Sequence, residues 1–272
     1  MAEERVDIRE DVVFGTGGGR DLRCDVYTPT GDLSRRPAIL LVHGGGWRRG
    51  SRREPLPALG PGFYESLAAA GFAVAAADYR LSGEARFPAP LEDVRAAFGW
   101  VRDHAAGYGL DADRVFGWGD SAGGHLVLLA ALTGTPVRGV VAWFPVTDLL
   151  GLPADVAAAG GVPDAGPDSR EAQLLGAPAH SVPDLARQAS PVTHASAAAP
   201  PVLLMHGAAD DLVPPAQSIR LAGALTAAGA TVELELVPGA SHFWNGASDV
   251  AAIVRRSIEF LRAQARPEAA GR

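Results

Sequence analysis

Five short, predominantly apolar runs constrain the fold of this chain more than any other feature. They are residues 38–42, 73–77, 114–118, 140–144 and 202–205. Each run is too short for a helix, and each is too uniformly apolar for a strand with one face in water. The runs therefore predict parallel strands that are covered on both faces. Helical spacing between the second and third runs is shown by Leu91, Val94, Phe98 and Val101. A strand, a helix and a strand in that order predict a right-handed crossover and an α/β architecture.

The two ends of the chain carry weaker patterns. Residues 6–14 and 22–27 alternate around the glycine-rich stretch 15–19, which predicts a β-hairpin. A phosphate-binding loop is disfavoured there, because no Lys-Ser or Lys-Thr pair and no helical pattern follows the glycines. Residues 231–236 alternate polar and apolar side chains, as expected of a strand near the edge of the sheet with one wetter face. A final helical pattern begins at Val250 and extends past Leu261.

The segment 149–200 interrupts the alternation of strands and helices. It is rich in Pro, Ala, Gly and Asp and has only short helical patches, so it predicts a lid-like or pocket-forming insertion. The 272 residues are otherwise accommodated by a single domain, 1–272, with a frayed polar tail at 266–272.

Composition limits the partners that the chain would bind. A net charge of −7 and a pI near 5.5 argue against nucleic acid and against an anionic membrane surface. Cys24 is the only cysteine, which excludes an internal disulfide, and the N-terminal residues 1–5 are charged rather than apolar. We therefore expect a cytoplasmic protein that acts on a small molecule, with a homodimer left open. The arginines at 48, 49, 52 and 53 form either a solvated loop or a guide for an anionic substrate group.

The pentapeptide Gly119-Asp120-Ser121-Ala122-Gly123 follows the third apolar run and precedes a helical pattern. A G-x-S-x-G sequence in that position is typical of a strand-to-helix turn that lifts a serine hydroxyl clear of the sheet. Residues 117–122 also match the dinucleotide fingerprint G-x-G-x-x-G/A. That alternative would require an acidic residue at the end of the next strand, and residues 140–144 contain none.

Acyl transfer by a serine requires a base, an acid that orients the base, and donors for an oxyanion. His43-Gly44-Gly45-Gly46-Trp47 follows the first apolar run and supplies unobstructed backbone amides, so Gly45 and Gly46, with the amide of Ala122, would form an oxyanion hole. His242 follows the last predicted strand. Both Asp210 and Asp211 follow the run 202–205, and the residues alone leave the choice between these two acids open. No pattern of paired His, Cys or acidic residues predicts a metal.

Taken together, five motifs resemble the α/β-hydrolase esterases, with the nearest similarity to the hormone-sensitive-lipase-like and the feruloyl- and acetylxylan-esterase-like branches. They are residues 43–47, 78–81, 119–125, 206–210 and 241–242. The resemblance covers about residues 20–264. It implies a mostly parallel eight-stranded sheet with helices on both faces, a minimal cap formed by 149–200, and no cofactor.

The resemblance also assigns roles to individual residues. It implies that Ser121 is the nucleophile, that His242 is the general base and then acid, and that Asp210 rather than Asp211 orients the histidine. The expected activity is hydrolysis of short-acyl carboxylic esters. An amide hydrolase similar to kynurenine formamidase and a non-catalytic ligand-binding relative are the alternatives. The aromatic residues expected either to line the substrate pocket or to belong to the core are Trp47, Trp143, Phe243 and Trp244.

Overall fold

A computed structural model describes residues 6–31 and 35–266, so most of the predicted tail 266–272 lies outside the described residues. The strands are β1 (Val6–Gly17), β2 (Arg20–Pro29), β3 (Arg36–Val42), β4 (Ala73–Ala77), β5 (Leu110–Asp120), β6 (Gly139–Trp143), β7 (Val202–Gly207) and β8 (Val232–Val237). The helices are α1 (Phe63–Ala69), α2 (Ala89–Asp103), α3 (Ala122–Leu132), α4 (Leu152–Ala158), α5 (Arg170–Leu175), α6 (Pro183–Gln188), α7 (Ala216–Ala227) and α8 (Val250–Gln264).

The eight strands form one sheet in the order β1-β2-β4-β3-β5-β6-β7-β8. Strands β3 to β8 are parallel, while β2 pairs antiparallel with both β1 and β4. The predicted mostly parallel, eight-stranded sheet is thus confirmed. All five apolar runs lie in its parallel part, and β5 begins at Leu110, four residues earlier than the run 114–118 predicts.

Helices cover both faces of the sheet. Since successive side chains of a strand point to opposite sides, neighbouring residues of one strand pack against different helices. Leu40 of β3 lies in the core cluster that includes residues of α2, α3 and α7, whereas its neighbours Ile39 and Leu41 lie in the cluster that includes residues of α1 and α8. All three side chains are at most 6% exposed. Burial on both sides explains why these strands are continuously apolar.

Two features of the edges differ from the sequence prediction. The hairpin connection is shorter than residues 15–19, because β1 continues to Gly17 and only Gly18 and Gly19, both with positive φ, form the turn. Strand β8 lies at one edge of the sheet, as expected, but the side chains on both of its faces are exposed to solvent. Leu234 and Leu236 are 37% and 39% exposed.

The insertion between β6 and β7 contains the short helices α4, α5 and α6, and hydrogen bonds join it to α7 and close it on itself. Both guanidinium Nη atoms of Arg220, on α7, donate to the carboxylate of Asp155, on α4, at 2.7 and 2.8 Å. The Leu149 amide donates to the buried hydroxyl of Ser190 at 3.0 Å. The insertion lies beside the end of β5, since Leu152, Val156 and Arg170 line one cavity together with Ser121 and Ala122.

Candidate active site

Ser121 occupies the predicted turn between a strand and a helix. β5 ends at Asp120 and α3 begins at Ala122, and Ser121 between them has φ 50° and ψ −116°, a strained combination for a residue with a side chain. The turn is possible because Gly123 lacks a Cβ atom. One built there would lie 2.0 Å from the carbonyl oxygen of Val42. The hydroxyl of Ser121 is therefore presented at the carboxyl edge of the sheet, beside the end of β3.

His242 contacts the serine from the loop after β8. Its Nε2 atom lies 3.2 Å from Ser121 Oγ, and its Nδ1 atom lies 2.6 Å from Asp210 Oδ2. Because a carboxylate can only accept, Nδ1 carries the proton and Nε2 is free to accept the serine hydroxyl hydrogen. The ring is buried between this carboxylate and Phe144, whose ring centroid is 4.6 Å away. Burial lowers the pKa of His242 below its ordinary value, although Asp210 opposes the shift.

Asp210 rather than Asp211 contacts the histidine. The Asp210 side chain is fully buried, and its Oδ1 atom accepts hydrogen bonds from the amides of Leu212 and Val213 at 3.0 and 2.9 Å. Burial alone would raise its pKa, but hydrogen bonds from His206, His242 and Val213 outweigh it and lower the pKa to about 2. The carboxylate is therefore ionised at neutral pH.

His206, the last residue but one of β7, is a positioning residue that the sequence analysis did not single out. Its Nε2 atom donates to the carbonyl oxygen of Val213 at 2.6 Å, and the same nitrogen lies 3.5 Å from Asp210 Oδ2. Its Nδ1 atom accepts from the Ser218 hydroxyl at 2.7 Å. A histidine within an otherwise apolar buried strand was the available sequence signal, since a buried polar side chain needs partners.

The loop of residues 43–47 brings its three consecutive glycines, residues 44–46, next to Ser121. Gly45 and Gly46 have φ of 106° and 62°. A Cβ at Gly45 would lie 2.1 Å from the carbonyl oxygen of Arg49, so this close turn requires glycine. Within the described part of the chain, the amides of Gly45, Gly46 and Ala122 donate to no other group. They are therefore available for a ligand oxygen.

Asp120 links this loop to the serine turn. Its Oδ1 atom accepts from the amide of Gly44 at 3.2 Å, while Oδ2 is buried without a partner among the described atoms. Burial raises the pKa of Asp120 to about 7. Tyr79 supports the same loop from below, because its hydroxyl donates to the carbonyl oxygen of His43 at 3.2 Å. Tyr79 belongs to the motif 78–81 and Asp120 to the motif 119–125, and the motifs alone predict neither contact.

Two cavities open on Ser121. The first, of about 260 Å³, lies between Ala122, Trp47 and the insertion. Its apolar lining consists of Trp47, Val146, Leu152, Pro153, Val156, Val162, Leu212 and Val213. The second, of about 130 Å³, also contains His242. Its remaining lining residues are Gly45, Gly46, Arg48, Arg49, Arg170, Leu212 and Phe243.

The aromatic residues predicted as pocket walls divide into two pairs. Trp47 lines the first cavity and Phe243 the second. The expectation for Trp143 and Trp244 as pocket walls is wrong. Both indoles are 1% exposed, they pack against each other with centroids 5.5 Å apart, and Trp143 donates to the Ser257 hydroxyl on the α8 side of the sheet.

Trp47 is held in place by His125, the last residue of the motif 119–125. The indole nitrogen of Trp47 donates to His125 Nδ1 at 3.1 Å, and His125 Nε2 donates to the carbonyl oxygen of Ala189 in the insertion at 2.6 Å. Burial lowers the pKa of His125 to about 4, so the ring stays neutral and can accept the indole hydrogen. This one side chain joins α3, the glycine-rich loop and the insertion.

The four arginines within residues 48–53 fall into two pairs: one pair binds a buried carboxylate, and the other pair lines a cavity. Arg52 and Arg53 both bind the buried carboxylate of Asp25, at 2.9 and 2.7 Å. Arg48 and Arg49 form no ion pair with any residue in the described ranges and line the second cavity. No group of three or more His, Cys, Asp or Glu side chains within 6–31 and 35–266 could hold a metal ion. None of the helices in these ranges is long and apolar enough to cross a membrane.

Comparison with known proteins gives three kinds of match. The model of a family described as BD-FAE matches residues 24–225. Among curated proteins, the chain is 31% identical over 271 residues to the esterase LipQ of Mycobacterium tuberculosis, covering 90% of this chain and 58% of LipQ. It is 33% identical over 223 residues to the probable carboxylic ester hydrolase LipM of the same species, covering 76% of this chain and 49% of LipM. The chain thus spans about half the length of these relatives.

Two solved esterases match over nearly their whole length. A truncated form of a carbohydrate esterase from gut microbiota has a TM-score of 0.83 at 26% identity, with 97% of this chain and 98% of that chain covered. Est2, a thermophilic esterase of Thermogutta terrifontis, has a TM-score of 0.72 at 26% identity, with 94% and 90% covered. Est2 has also been solved with propionate bound and phosphorylated by paraoxon.

Proposed function

Because the chain belongs to the BD-FAE family, we propose that it is a serine carboxylesterase in which Ser121, His242 and Asp210 form the catalytic triad. The observation that carries the proposal is the continuous hydrogen-bonded series from Ser121 Oγ to His242 Nε2, at 3.2 Å, and from His242 Nδ1 to Asp210 Oδ2, at 2.6 Å. A neutral imidazole oriented by an ionised carboxylate is the arrangement that activates a serine hydroxyl.

In the first half of the reaction, the Ser121 hydroxyl gives its proton to His242 Nε2 while Oγ bonds to the ester carbonyl carbon. The carbonyl oxygen becomes an oxyanion that the amides of Gly45, Gly46 and Ala122 stabilise by donating hydrogen bonds. When the bond from carbon to the alcohol oxygen breaks, His242 returns the proton to that oxygen. The acyl group then remains on Ser121, and the alcohol leaves.

In the second half, a water molecule gives a proton to His242 Nε2 and its oxygen bonds to the acyl carbon. The second oxyanion collapses, the bond to Ser121 Oγ breaks, and His242 protonates Oγ. Asp210 stays ionised throughout and stabilises the imidazolium. No cofactor is required at any of these steps, because the chain's own groups carry every proton.

We further propose that the acyl group occupies the 260 Å³ cavity and that short acyl chains are preferred. The small volume of that cavity and its lining by apolar side chains of the insertion, including Leu152 and Val156, support this. A series of p-nitrophenyl esters from acetate to dodecanoate tests the preference. A kcat/KM that rises steadily up to the longest chain would contradict it.

The direct test of the proposed reaction is trapping of the nucleophile. Paraoxon should add a diethyl phosphoryl group to Ser121, seen by peptide mass spectrometry, and should abolish turnover of p-nitrophenyl acetate in the same proportion. Ser121→Ala should remove both reactions, whereas Ser181→Ala, at an exposed serine, should remove neither. A Ser121→Ala protein that keeps wild-type turnover would refute the assignment.

The same enzyme preparation separates the alternatives. Hydrolysis of N-formylkynurenine at a higher kcat/KM than any ester would favour an amide hydrolase, and binding without any turnover would favour a non-catalytic relative. We also propose a cytoplasmic location, supported by the single, buried Cys24, and keep a homodimer as a proposal. Cell fractionation and light scattering test these two proposals.

A further inference from the structure

Three arginines that form no ion pair within the described ranges line one side of the candidate active site. Arg48 and Arg49, in the loop after β3, are exposed, and Arg170, at the start of α5, is half-buried. None of the three forms an ion pair with another residue of the described ranges. An acidic chain with 31 carboxylates and 24 basic side chains has ample means to neutralise them. Because all three also line the cavity that contains Ser121 and His242, they are placed to meet a charged group of a ligand.

Arg170 lies directly against the glycine-rich loop. A Cβ built at Gly46 would lie 2.6 Å from Arg170 Cδ, so the stem of the arginine packs on the backbone that would form the oxyanion hole. Arg49 covers the neighbouring glycine in the same way, since a Cβ at Gly45 would lie 3.2 Å from Arg49 Cγ. The packing of these stems limits how far the two guanidinium groups can move away from Ser121.

The position of His242 indicates which part of a substrate the arginines would meet. The histidine must protonate the departing oxygen, so the leaving group occupies the cavity that contains both Ser121 and His242. That cavity of about 130 Å³ is lined by all three arginines and by no carboxylate. The acyl group then lies in the other cavity, which lacks His242.

The two cavities have opposite charge. The acyl cavity includes three acidic side chains, Asp164, Glu171 and Asp211, against the one arginine that both cavities share. Burial raises the pKa of Glu171, with the neighbouring Asp164 adding to the effect, whereas Arg170 and Arg48 act in the opposite direction. A negative charge on a substrate is thus disfavoured on the acyl side and favoured on the leaving-group side.

Resting on the proposed esterase function, we propose that Arg48, Arg49 and Arg170 form a binding site for an anionic leaving group, so that the natural substrates are esters of alcohols or phenols that carry a carboxylate. Guanidinium groups bind carboxylates through paired N–H donors, which fixes orientation as well as charge. The opposite charges of the two cavities then determine which end of the substrate faces His242.

The test compares two acetate esters that differ in the charge of the leaving group, 4-acetoxybenzoate and 4-acetoxybenzamide. The wild-type enzyme should hydrolyse the benzoate with the higher kcat/KM. Arg170→Gln should lower kcat/KM for the benzoate by about 10- to 100-fold more than for the benzamide, the range for loss of a hydrogen bond to a charged group. Arg102→Gln, at an arginine on α2 that forms no ion pair with another described residue, serves as the matched control and should change neither rate.

The salt dependence and the acyl side provide independent readouts. The kcat/KM for 4-acetoxybenzoate should fall between 0.05 and 0.5 M NaCl, and that for the benzamide should not. On the acyl side, 4-nitrophenyl succinate should be a poorer substrate than 4-nitrophenyl butyrate. Equal kcat/KM for the charged and uncharged member of both ester pairs would overturn the inference while leaving the esterase function intact.

The remaining outcomes are also decisive. If Arg170→Gln and Arg48→Gln lower the rates of both acetate esters equally, the arginines act through the structure of the loop and the inference is wrong. If neither ester is hydrolysed and paraoxon does not label Ser121, the proposed function fails, and this inference fails with it.

Discussion

Replacement of Asp210 by asparagine should inactivate the enzyme because the structure dictates how the new amide would be oriented. Oδ1 of Asp210 accepts from the amides of Leu212 and Val213 at 3.0 and 2.9 Å. An asparagine can satisfy these two donors only with its carbonyl oxygen, so its NH₂ group must take the Oδ2 position that faces His242. The reverse orientation would place an NH₂ group against two N–H donors.

The orientation of that NH₂ group sets the tautomer of the histidine. Nδ1 of His242, 2.6 Å from the replaced oxygen, would have to accept a hydrogen bond, which moves the ring proton to Nε2. Nε2 lies 3.2 Å from Ser121 Oγ and could then no longer remove its proton. Loss of the correct tautomer in serine hydrolases of this kind costs about 10⁴-fold in kcat. That factor corresponds to about 5 kcal/mol of transition-state stabilisation.

The assay is the steady-state hydrolysis of p-nitrophenyl acetate, with paraoxon titration to count active sites. Asp210→Asn should keep the fold, because the two backbone hydrogen bonds are retained, and should lose about 10⁴-fold in kcat. Asp211→Asn removes a neighbouring, exposed carboxylate and should stay within about threefold of wild type. A kcat for Asp210→Asn within tenfold of wild type would refute the tautomer argument.

Three further predictions concern pH and stability. The kcat/KM for ester hydrolysis should be constant at neutral pH and fall only below pH 6.5, because burial lowers the pKa of His242 and the neutral ring persists in more acidic solution; a pH–rate profile with its acid midpoint at pH 7 or above would contradict this. His125→Leu leaves the Trp47 indole and a buried carbonyl without partners, so urea unfolding should show a loss of about 2 kcal/mol, against less than about 0.5 kcal/mol for the exposed His180→Leu. Gly123→Ala should cost about 2 kcal/mol or more, because the added Cβ would lie 2.0 Å from a carbonyl oxygen, whereas Gly99→Ala, inside α2 with no atom within 4 Å, should be neutral or stabilising in the same unfolding experiment.

Features whose cause is local could be predicted from the sequence. A parallel strand that is buried on both faces must be apolar at every position, so the five runs identified the centre of the sheet. The turn at Ser121 was equally readable, because the requirement for small residues at Gly119 and Gly123 comes from backbone atoms that approach within 3 Å of where a Cβ would be. In both cases, the residue type is determined by the atoms directly around that residue, so it predicts burial in the strands and close backbone contact at the glycines.

Features that depend on what a neighbouring element covers were predicted less well. The alternation in β8 indicated one buried face, yet Leu234 and Leu236 are exposed, because β8 is the last strand of the sheet and the helices there cover it incompletely. Trp143 ends the strand next to β5 and Trp244 follows His242 by two residues, but both belong to the core cluster on the α1 and α8 side of the sheet. The type of a single aromatic residue does not predict which face of the sheet its side chain lies on.

Arg170 shows why the contacts of the insertion could not be predicted from the sequence, although the start of helix α5 could. Its contact with Gly46 joins residues 124 positions apart, through a segment whose periodicity predicts little beyond short helices. However, Ser169 caps α5 by accepting from the amide of Ala172 at 3.1 Å, which makes Arg170 the first helical residue. A cation in the first turn opposes the helix dipole at a cost of about 0.3–1 kcal/mol, although the acidic Glu171 in the same turn offsets that cost. What no local pattern predicts is the packing of the Arg170 stem on the loop beside Ser121, and this long-range contact is what brings its charge into the cavity that Ser121 and His242 share.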